Sequence, residues 1–330
     1  MAQPDASDIT VHWERLLDDV SDVEIAVTLP TFRRPDHVVE TLKSVAAQQT
    51  ARKFVCIVME NDPDTGDGAC AAADYLESVS INAIVVNAHR RGNCSAYNAG
   101  WHTALSMFPN LKHVLVIDDD EIARPNWLEL MARTAETLDV DMVGAPQEPV
   151  FENGNNGSWP RHPVFQPAHQ TTGPAEILYS SGNVIISTKV LRTMGYPYLD
   201  ERFNFIGGGD SDFYSRCKAK GYTFGWCADA GVLETIPSRR TESRWLNLRG
   251  LRNGSISALI EHKAAGSMLD RVRILAKTGL LLAASPVRSL LLFLKTGSPI
   301  IGLYHINVAV GRLLMEFGFA NEQYREPEKN

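Results

Sequence analysis

From residue 24 onward, short continuous apolar runs alternate with stretches in which apolar residues recur at helical spacing. Residues 24–29, 54–59, 84–86, 114–117 and 142–144 read as strands. Residues 36–48 repeat apolar positions through Val38, Val39, Leu42 and Val45 and read as a helix, as do 95–107 and 125–138. Strands alternating with helices predict an α/β fold built from right-handed βαβ units, with a mostly parallel sheet covered by helices on both faces. Such a sheet binds its ligand at the carboxyl ends of its strands. Residues 151–174 are rich in Gly, Asn and Pro and predict a surface loop of the kind that contacts ligands. Periodicity resumes over 177–191, and 222–226 reads as a further strand.

After residue 241 the texture changes. Residues 269–319 are rich in leucine, with apolar runs at 280–284, 290–294 and 299–303. A spanning helix needs about 20 consecutive apolar residues. Lys277, Arg288 and Lys295 interrupt these runs, which fits amphipathic helices lying at a membrane interface. Helices packed on the α/β domain or on a partner subunit explain the same pattern. The expected organisation is an acidic N-terminal segment (1–22), an α/β domain (23–262) and an amphipathic, Leu-rich helical extension (263–330).

Composition changes this picture little. Hydrophobic residues make up 44% and charged residues 22%, as in folded globular proteins. The net charge of -7 argues against nucleic acid as a partner. Locally, Arg239, Arg240, Arg244, Arg249, Arg252, Arg271, Arg273 and Lys277 gather in an acid-poor region suited to an anionic ligand or lipid surface. The five cysteines are scattered with no C-x-x-C pair, so reduced thiols are expected and a zinc site is not. The first 25 residues are polar and lack the apolar core of a secretory signal.

Two constellations carry chemistry. In Val114-Leu-Val-Ile-Asp118-Asp119-Asp120-Glu121 an apolar strand ends in four acids. Alternation along a strand puts Asp118 and Asp120 on one side. Adjacent carboxylates repel unless a cation or solvent relieves them, and hard oxygen ligands suit Mg²⁺ or Mn²⁺. A solvated acidic loop ahead of the next helix is the plainer explanation. In Phe205-Ile-Gly207-Gly208-Gly209-Asp210-Ser211-Asp212-Phe213 three glycines allow close backbone approach, and Asp210 opens a helix. Asp210 reads as a carboxylate general base or simply as a helix cap, and Asp212 as a first-turn acid.

In order and spacing these stretches resemble the family 2 glycosyltransferases of the GT-A fold, and within them the bacterial succinoglycan-type exopolysaccharide glucosyltransferases. The resemblance rests on Val27-Thr-Leu-Pro-Thr-Phe-Arg-Arg-Pro35, Val58-Met-Glu-Asn-Asp-Pro63, Arg91-Gly-Asn-Cys-Ser-Ala-Tyr-Asn-Ala-Gly100, Ile117-Asp-Asp-Asp-Glu121, Gly207-Gly-Gly-Asp-Ser-Asp-Phe213 and Arg244-Trp245. It implies a donor site bordered by Pro30, Thr31 and Arg33, with Glu60 and Asp62 near the base. Asn93, Asn98, Asp118 and Asp119 would line the donor pocket. Asp120, with Asp118, would hold Mg²⁺ or Mn²⁺. Asp210 would be the general base and Asp212 its alternative. Arg244 would meet the diphosphate together with Arg239 and Arg240, and Glu234 would lie near the metal or phosphate.

Departures from the family pattern stand out: Glu60 stands where Asp is frequent, Tyr97 replaces a common Arg, and Gly209 stands where Glu is common. Thr241 replaces the Gln of the processive synthases' motif, which implies a non-processive enzyme. The implied reaction is metal-dependent, inverting transfer of a hexose, glucose in the first instance, from a UDP-sugar. The implied acceptor is a polyprenyl-diphosphate-linked glycan, met by a peripheral protein at the cytoplasmic face of the inner membrane. The rival from another class is a non-catalytic nucleotide-binding scaffold of a glycan assembly complex. A nucleotidyltransferase lacks support, because no glycine-rich phosphate loop follows the first strand, and no P-loop motif occurs.

Overall fold

A computed structural model describes residues 4–5, 8–17, 19–62, 64–154 and 157–319. Asp18, Pro63 and residues 320–330 of the expected extension lie outside these described residues. The elements in chain order are β1 (Ile9–Arg15), β2 (Ile25–Thr31), α1 (Pro35–Ala46), β3 (Phe54–Glu60), α2 (Asp67–Glu77), β4 (Asn82–Ala88), α3 (Asn93–Met107), β5 (His113–Ile117) and β6 (Glu121–Ala123). They continue with α4 (Trp127–Leu138), β7 (Met142–Gly144), β8 (Gln147–Phe151), β9 (Gly173–Ala175), β10 (Asn183–Ser187), α5 (Thr188–Met194), α6 (Gly209–Ala219), β11 (Phe224–Trp226) and β12 (Val232–Ile236). Four helices close the chain: α7 (Ser243–Ala264), α8 (Met268–Thr296), α9 (Pro299–Gly302) and α10 (Tyr304–Glu316).

The main sheet has nine strands in the order β1-β4-β3-β2-β5-β10-β7-β11-β9. Strands β4, β3, β2 and β5 form the expected parallel core. The flanks depart from expectation: β10 runs antiparallel to both β5 and β7, β9 antiparallel to β11, and β1 antiparallel to β4. The sheet is therefore mixed. The parallel strands are apolar on both faces, as burial between helices requires: β2 and β3 are buried almost throughout. Helix α1 starts on Pro35, whose fixed φ and missing N–H suit the first helical position, and buries Val38, Thr41, Leu42 and Val45. A second sheet has the order β6-β12-β8, with β12 antiparallel to β6.

The chain divides into two units. One contains Met1–Glu148, Pro167–Asn204 and Gly209–Glu234. Its core joins Ile25, Val27, Leu29, Val58, Leu115, Ile117, Trp127 and Ile185. The other contains Pro149–Gln166, Phe205–Gly208 and Thr235–Asn330. Here Phe165, Ile236, Trp245 and Leu246 form a smaller core, against which Phe151 and Trp159 pack. Helices α7 and α10 meet backbone to backbone: a Cβ on Gly254 would collide with the Val308 carbonyl, and one on Gly311 with that of Leu251.

Two boundaries differ from the sequence reading. Residues 9–15, expected within a separate acidic segment, are an edge strand of the main sheet. The runs expected to be broken by Lys277 and Arg288 form one helix of 29 residues that continues through Pro286.

Candidate active site

Strand β5 ends at Ile117, Asp118–Asp120 form a turn, and Glu121 opens β6. The alternation that would put Asp118 and Asp120 on one side therefore does not apply. The turn is closed by its own atoms: the Asp118 amide donates to Oε2 of Glu121 at 2.9 Å, and the Glu121 amide to the Asp118 carbonyl. Thr41 of α1 fastens it, donating to the carbonyls of Asp119 (3.1 Å) and Glu121 (2.7 Å).

Each acid has its own surroundings. Asp118 accepts from the phenol of the buried Tyr97. Asp119 accepts from Thr31 Oγ1 at 3.0 Å. Arg34 Nη1 stands 3.0 Å from carboxylate oxygens of both Asp119 and Asp120. Glu121 is fully buried and accepts from Gln147 Nε2. Across the β6–β12 pair Glu121 faces Glu234. Burial, with Asp120 close by, pushes the Asp118 carboxyl up to about 7. Burial and the neighbouring Asp118 raise Glu121 as well. Burial works against the charge of Arg34, but Asp119 and Asp120 outweigh it and hold the guanidinium firmly protonated. Arg34 thus pairs with two of the turn's carboxylates at once.

The base candidate is tied to this turn. Asp210 sits half-buried in the first turn of α6, and its Oδ1 accepts from the Ser211 amide at 2.7 Å. One turn on, Tyr214 donates to the Ser180 carbonyl at 2.9 Å. Ser180 Oγ donates to Gln147 Oε1, and Gln147 in turn holds Glu121. The buried Tyr214 phenol is pushed up by burial and by the charges of both Asp210 and Asp118. Gly182 keeps the neighbourhood open: a Cβ there would lie 2.5 Å from Gln147 Nε2, 2.6 Å from Glu121 Oε1 and 2.9 Å from Asp118 Oδ2. Asp212 is otherwise employed. Its carboxylate is 2% exposed and accepts from Arg216 Nε at 2.8 Å, while Arg216 also donates to the Tyr198 carbonyl.

The expected donor residues cluster at the ends of β2, β3 and β4. Pro30 and Thr31 close β2. Arg33 takes a left-handed φ of 55°, which aims its Nε at Asp62 Oδ2, 2.7 Å away. The guanidiniums of Arg33 and Arg91 both lie over the Phe32 ring, at 5.0 and 5.1 Å. Glu60 is buried and caps α2: its oxygens accept from the amides of Asp62 (2.8 Å) and Ala69 (3.0 Å). Asn61 joins the carbonyls of Ala88 and Arg90 to the Gly92 amide. Asn93 is exposed at the start of α3. Asn98 is fully buried, and its amide clamps the backbone N–H and carbonyl of Leu199. Arg244 lies on α7, in the second unit.

Sequence reasoning did not assign Arg34 or Gln147. Arg34 stands inside a quoted motif beside Pro35, so its neighbourhood was visible although its partner was not. Gln147 carried no local signal at all.

Among the described residues no three His, Cys, Asp or Glu side chains form a metal cage by themselves. A cation at a nucleotide site characteristically takes one or two carboxylates and completes its shell with phosphate oxygens and water. The carboxylates of Asp118 and Asp120 fit that donor set.

Comparison with known proteins agrees with this architecture. Residues 26–195 match the model of glycosyl transferase family 2. The chain is 25% identical over 250 residues to the succinoglycan biosynthesis protein ExoM of Rhizobium meliloti (strain 1021), a match covering 74% of this chain and 77% of that protein. Among solved structures, the mannosyltransferase PcManGT of Pyrobaculum calidifontis, in complex with GDP-Man and Mn²⁺, superposes with a TM-score of 0.57 at 17% identity. That likeness covers 88% of this chain and 87% of the other. S. aureus TarS 1–349 gives a TM-score of 0.52 at 16% identity, covering 90% and 92%. The fold is GT-A with added C-terminal helices.

Proposed function

This chain belongs to glycosyl transferase family 2, and from that premise we propose that it is an inverting hexosyltransferase. It takes a sugar, glucose from its UDP donor in the first instance, and passes it to a hydroxyl of a glycan acceptor. The observation that carries this reading is the hydrogen-bonded path from the helix bearing Asp210, through Tyr214, Ser180 and Gln147, to the acid turn at Asp118.

The residues divide the work. The Asp210 carboxylate takes the proton of the acceptor hydroxyl as that oxygen attacks the anomeric carbon. The new C–O bond forms on the face opposite the bond to the diphosphate, and that bond's electron pair leaves with the nucleotide. One displacement inverts the centre. Asp118 and Asp120 are the ligands for Mg²⁺ or Mn²⁺, which when bound supplies Lewis-acid neutralisation of the departing diphosphate. Arg34 and Thr31 keep the neighbouring carboxylates in place. Arg33 and Asp62, with Asn93 and Asp119, border the donor. Glu60 and Asn98 shape this pocket by holding backbone, since their polar atoms are engaged there. Asp212 is structural. Arg239, Arg240 and Arg244 offer guanidiniums suited to a diphosphate.

The relative named for succinoglycan biosynthesis supports an exopolysaccharide setting. A polyprenyl-diphosphate-linked glycan is then the fitting acceptor, met at the cytoplasmic face of a membrane by a peripheral enzyme.

The test is donor hydrolysis by the purified full chain across a panel of nucleotide sugars, with Mn²⁺, Mg²⁺ or EDTA. One donor is expected to turn over only with metal, and Asp120→Ala and Asp210→Asn to abolish its use. Anomeric analysis of the transfer product is expected to give inversion. Silence on every donor, with nucleotide still bound in calorimetry, leaves the chain a nucleotide-binding scaffold.

A further inference from the structure

Helix α8 is built inside out. The stripe it buries is Ile274, Thr278, Ser285, Ser289 and Thr296, of which four carry hydroxyls. Those hydroxyls are satisfied within the helix or by α10: Ser285 donates to the Leu282 carbonyl, Thr296 to that of Leu292, Thr278 to Glu316 Oε1 at 3.5 Å, and Ser289 accepts from the Ile306 amide at 3.2 Å. The opposite side carries Val272, Leu280, Val287, Leu290, Leu291 and Leu294, all exposed. At 100° per residue these six fall within one sector facing away from the buried stripe. A helix in water buries its leucines and exposes its serines. Small and hydroxyl residues at a helix contact, with leucines outside, are the arrangement of helices whose surroundings are lipid.

Charge identifies the surroundings further. Lys277, Arg288 and Lys295 are spaced by eleven and seven positions, three and two whole turns, so they line one edge of the leucine sector. Lys277 is paired with Glu261 at 2.8 Å, while Arg288 and Lys295 are exposed. The only acid on the helix is Asp270, held in the capping box at its start. Two copies meeting through this face would set cation edges near one another, whereas an anionic surface complements them.

By length and composition alone α8 could cross a bilayer. Its contacts argue otherwise. The buried stripe runs from Ile274 to Thr296, nearly the whole helix. A crossing would draw α10 into hydrocarbon with it, together with Arg312, Glu316 and Asn307. A helix bound along one side and apolar along the other lies flat.

We propose that α8 rests in the plane of an anionic phospholipid leaflet, leucine sector inserted and the Arg288–Lys295 edge at the phosphates. This rests on the reading above that the enzyme works at a membrane, and it assigns the surface, the lipid charge and the orientation.

The full chain is tested by co-sedimentation with phosphatidylcholine vesicles, with and without about 30 mol % phosphatidylglycerol. The wild type is expected to pellet with the anionic vesicles and to be released by alkaline carbonate. Leu280 and Leu294 are 72% and 68% exposed, so Leu280→Asp with Leu294→Asp leaves the fold intact. That double variant is expected to stay in the supernatant, with unchanged melting and donor hydrolysis. Arg288→Glu with Lys295→Glu is expected to weaken binding to anionic vesicles at least about tenfold.

Failure of the wild type to pellet overturns the proposal, as does wild-type binding by the leucine variant. A pellet resistant to carbonate replaces the flat helix with a spanning one. A soluble dimer that the leucine variant splits, with no vesicle binding, makes the face a subunit interface. Hydrolysis without vesicle binding defeats this inference alone, and vesicle binding without hydrolysis defeats the transferase reading alone.

Discussion

The phenol of Tyr97 donates a hydrogen bond to Oδ1 of Asp118 from a fully buried position on helix α3. The first acid of the turn is thus held by a neutral donor. Tyr97→Phe keeps the volume and removes the donor, at a stability cost of about 1 kcal/mol. Partners that orient a metal-binding carboxylate typically contribute 10–100-fold to affinity. The Mn²⁺ concentration for half-maximal donor hydrolysis is therefore expected to rise by roughly 10-fold or more. An unchanged Mn²⁺ titration would show that Tyr97 only fills space.

Asp210 and Asp212 are expected to separate cleanly. Asp212→Asn breaks the pair with Arg216 and lowers stability by about 1–3 kcal/mol. Its turnover per folded molecule should stay near wild type. Asp210→Asn should melt like the wild type and lose roughly 10²–10⁴-fold in turnover. Thermal unfolding beside initial rates decides it, and the reverse pattern would transfer the base to Asp212.

Gly182→Ala places a methyl among Gln147, Glu121 and Asp118. Overpacking of this kind costs about 1–3 kcal/mol. Because the displaced groups link Asp210's helix to the acid turn, donor kcat/KM is expected to fall at least about tenfold at temperatures where the variant is folded. Wild-type kcat/KM would mean that the path carries no function.

His162 gives a pH signature. Its ring is 1% exposed, accepts from the Val164 amide and packs edge-on against Tyr304 at 5.5 Å. Burial pushes its pKa down to about 4. The unfolded chain takes up this proton near the ordinary value of about 6.5, so it binds more protons than the native state between those limits. Stability from this residue is complete above about 6.5 and lost as pH falls toward 4, in total about 3 kcal/mol. Urea unfolding at several pH values should show the loss, and His162→Gln should flatten it. Equal slopes in both proteins would assign the acid limb to other groups.

The parallel core was legible because its strands are buried on both faces, and continuous apolar runs such as 54–59 announce that directly. The flanking strands were not. β9 and β6 span three residues each, and β1 alternates mostly exposed residues, so neither length nor burial marks them. The acids at 118–121 were visible as a cluster, but their geometry depended on where β5 stops, and Glu121's bond to the Asp118 amide makes a turn from what alternation reads as strand. Arg34 and Asp119 are 85 positions apart, and no local pattern joins them. Asp212's engagement was half-readable, since Arg216 follows it by one helical turn.

Strand β1 has a meaning for how the protein behaves in the hand. It covers β4, whose Asn82–Ala88 stretch is buried and mostly apolar, and it presents Thr10, Val11, His12 and Glu14 in exchange. An uncovered apolar edge is a template on which other chains add strands. Trimming the first fifteen residues as a dispensable acidic leader would hand that edge to solvent, and overproduction would then yield inclusion bodies from a polypeptide that still carries Asp118, Asp120 and Asp210.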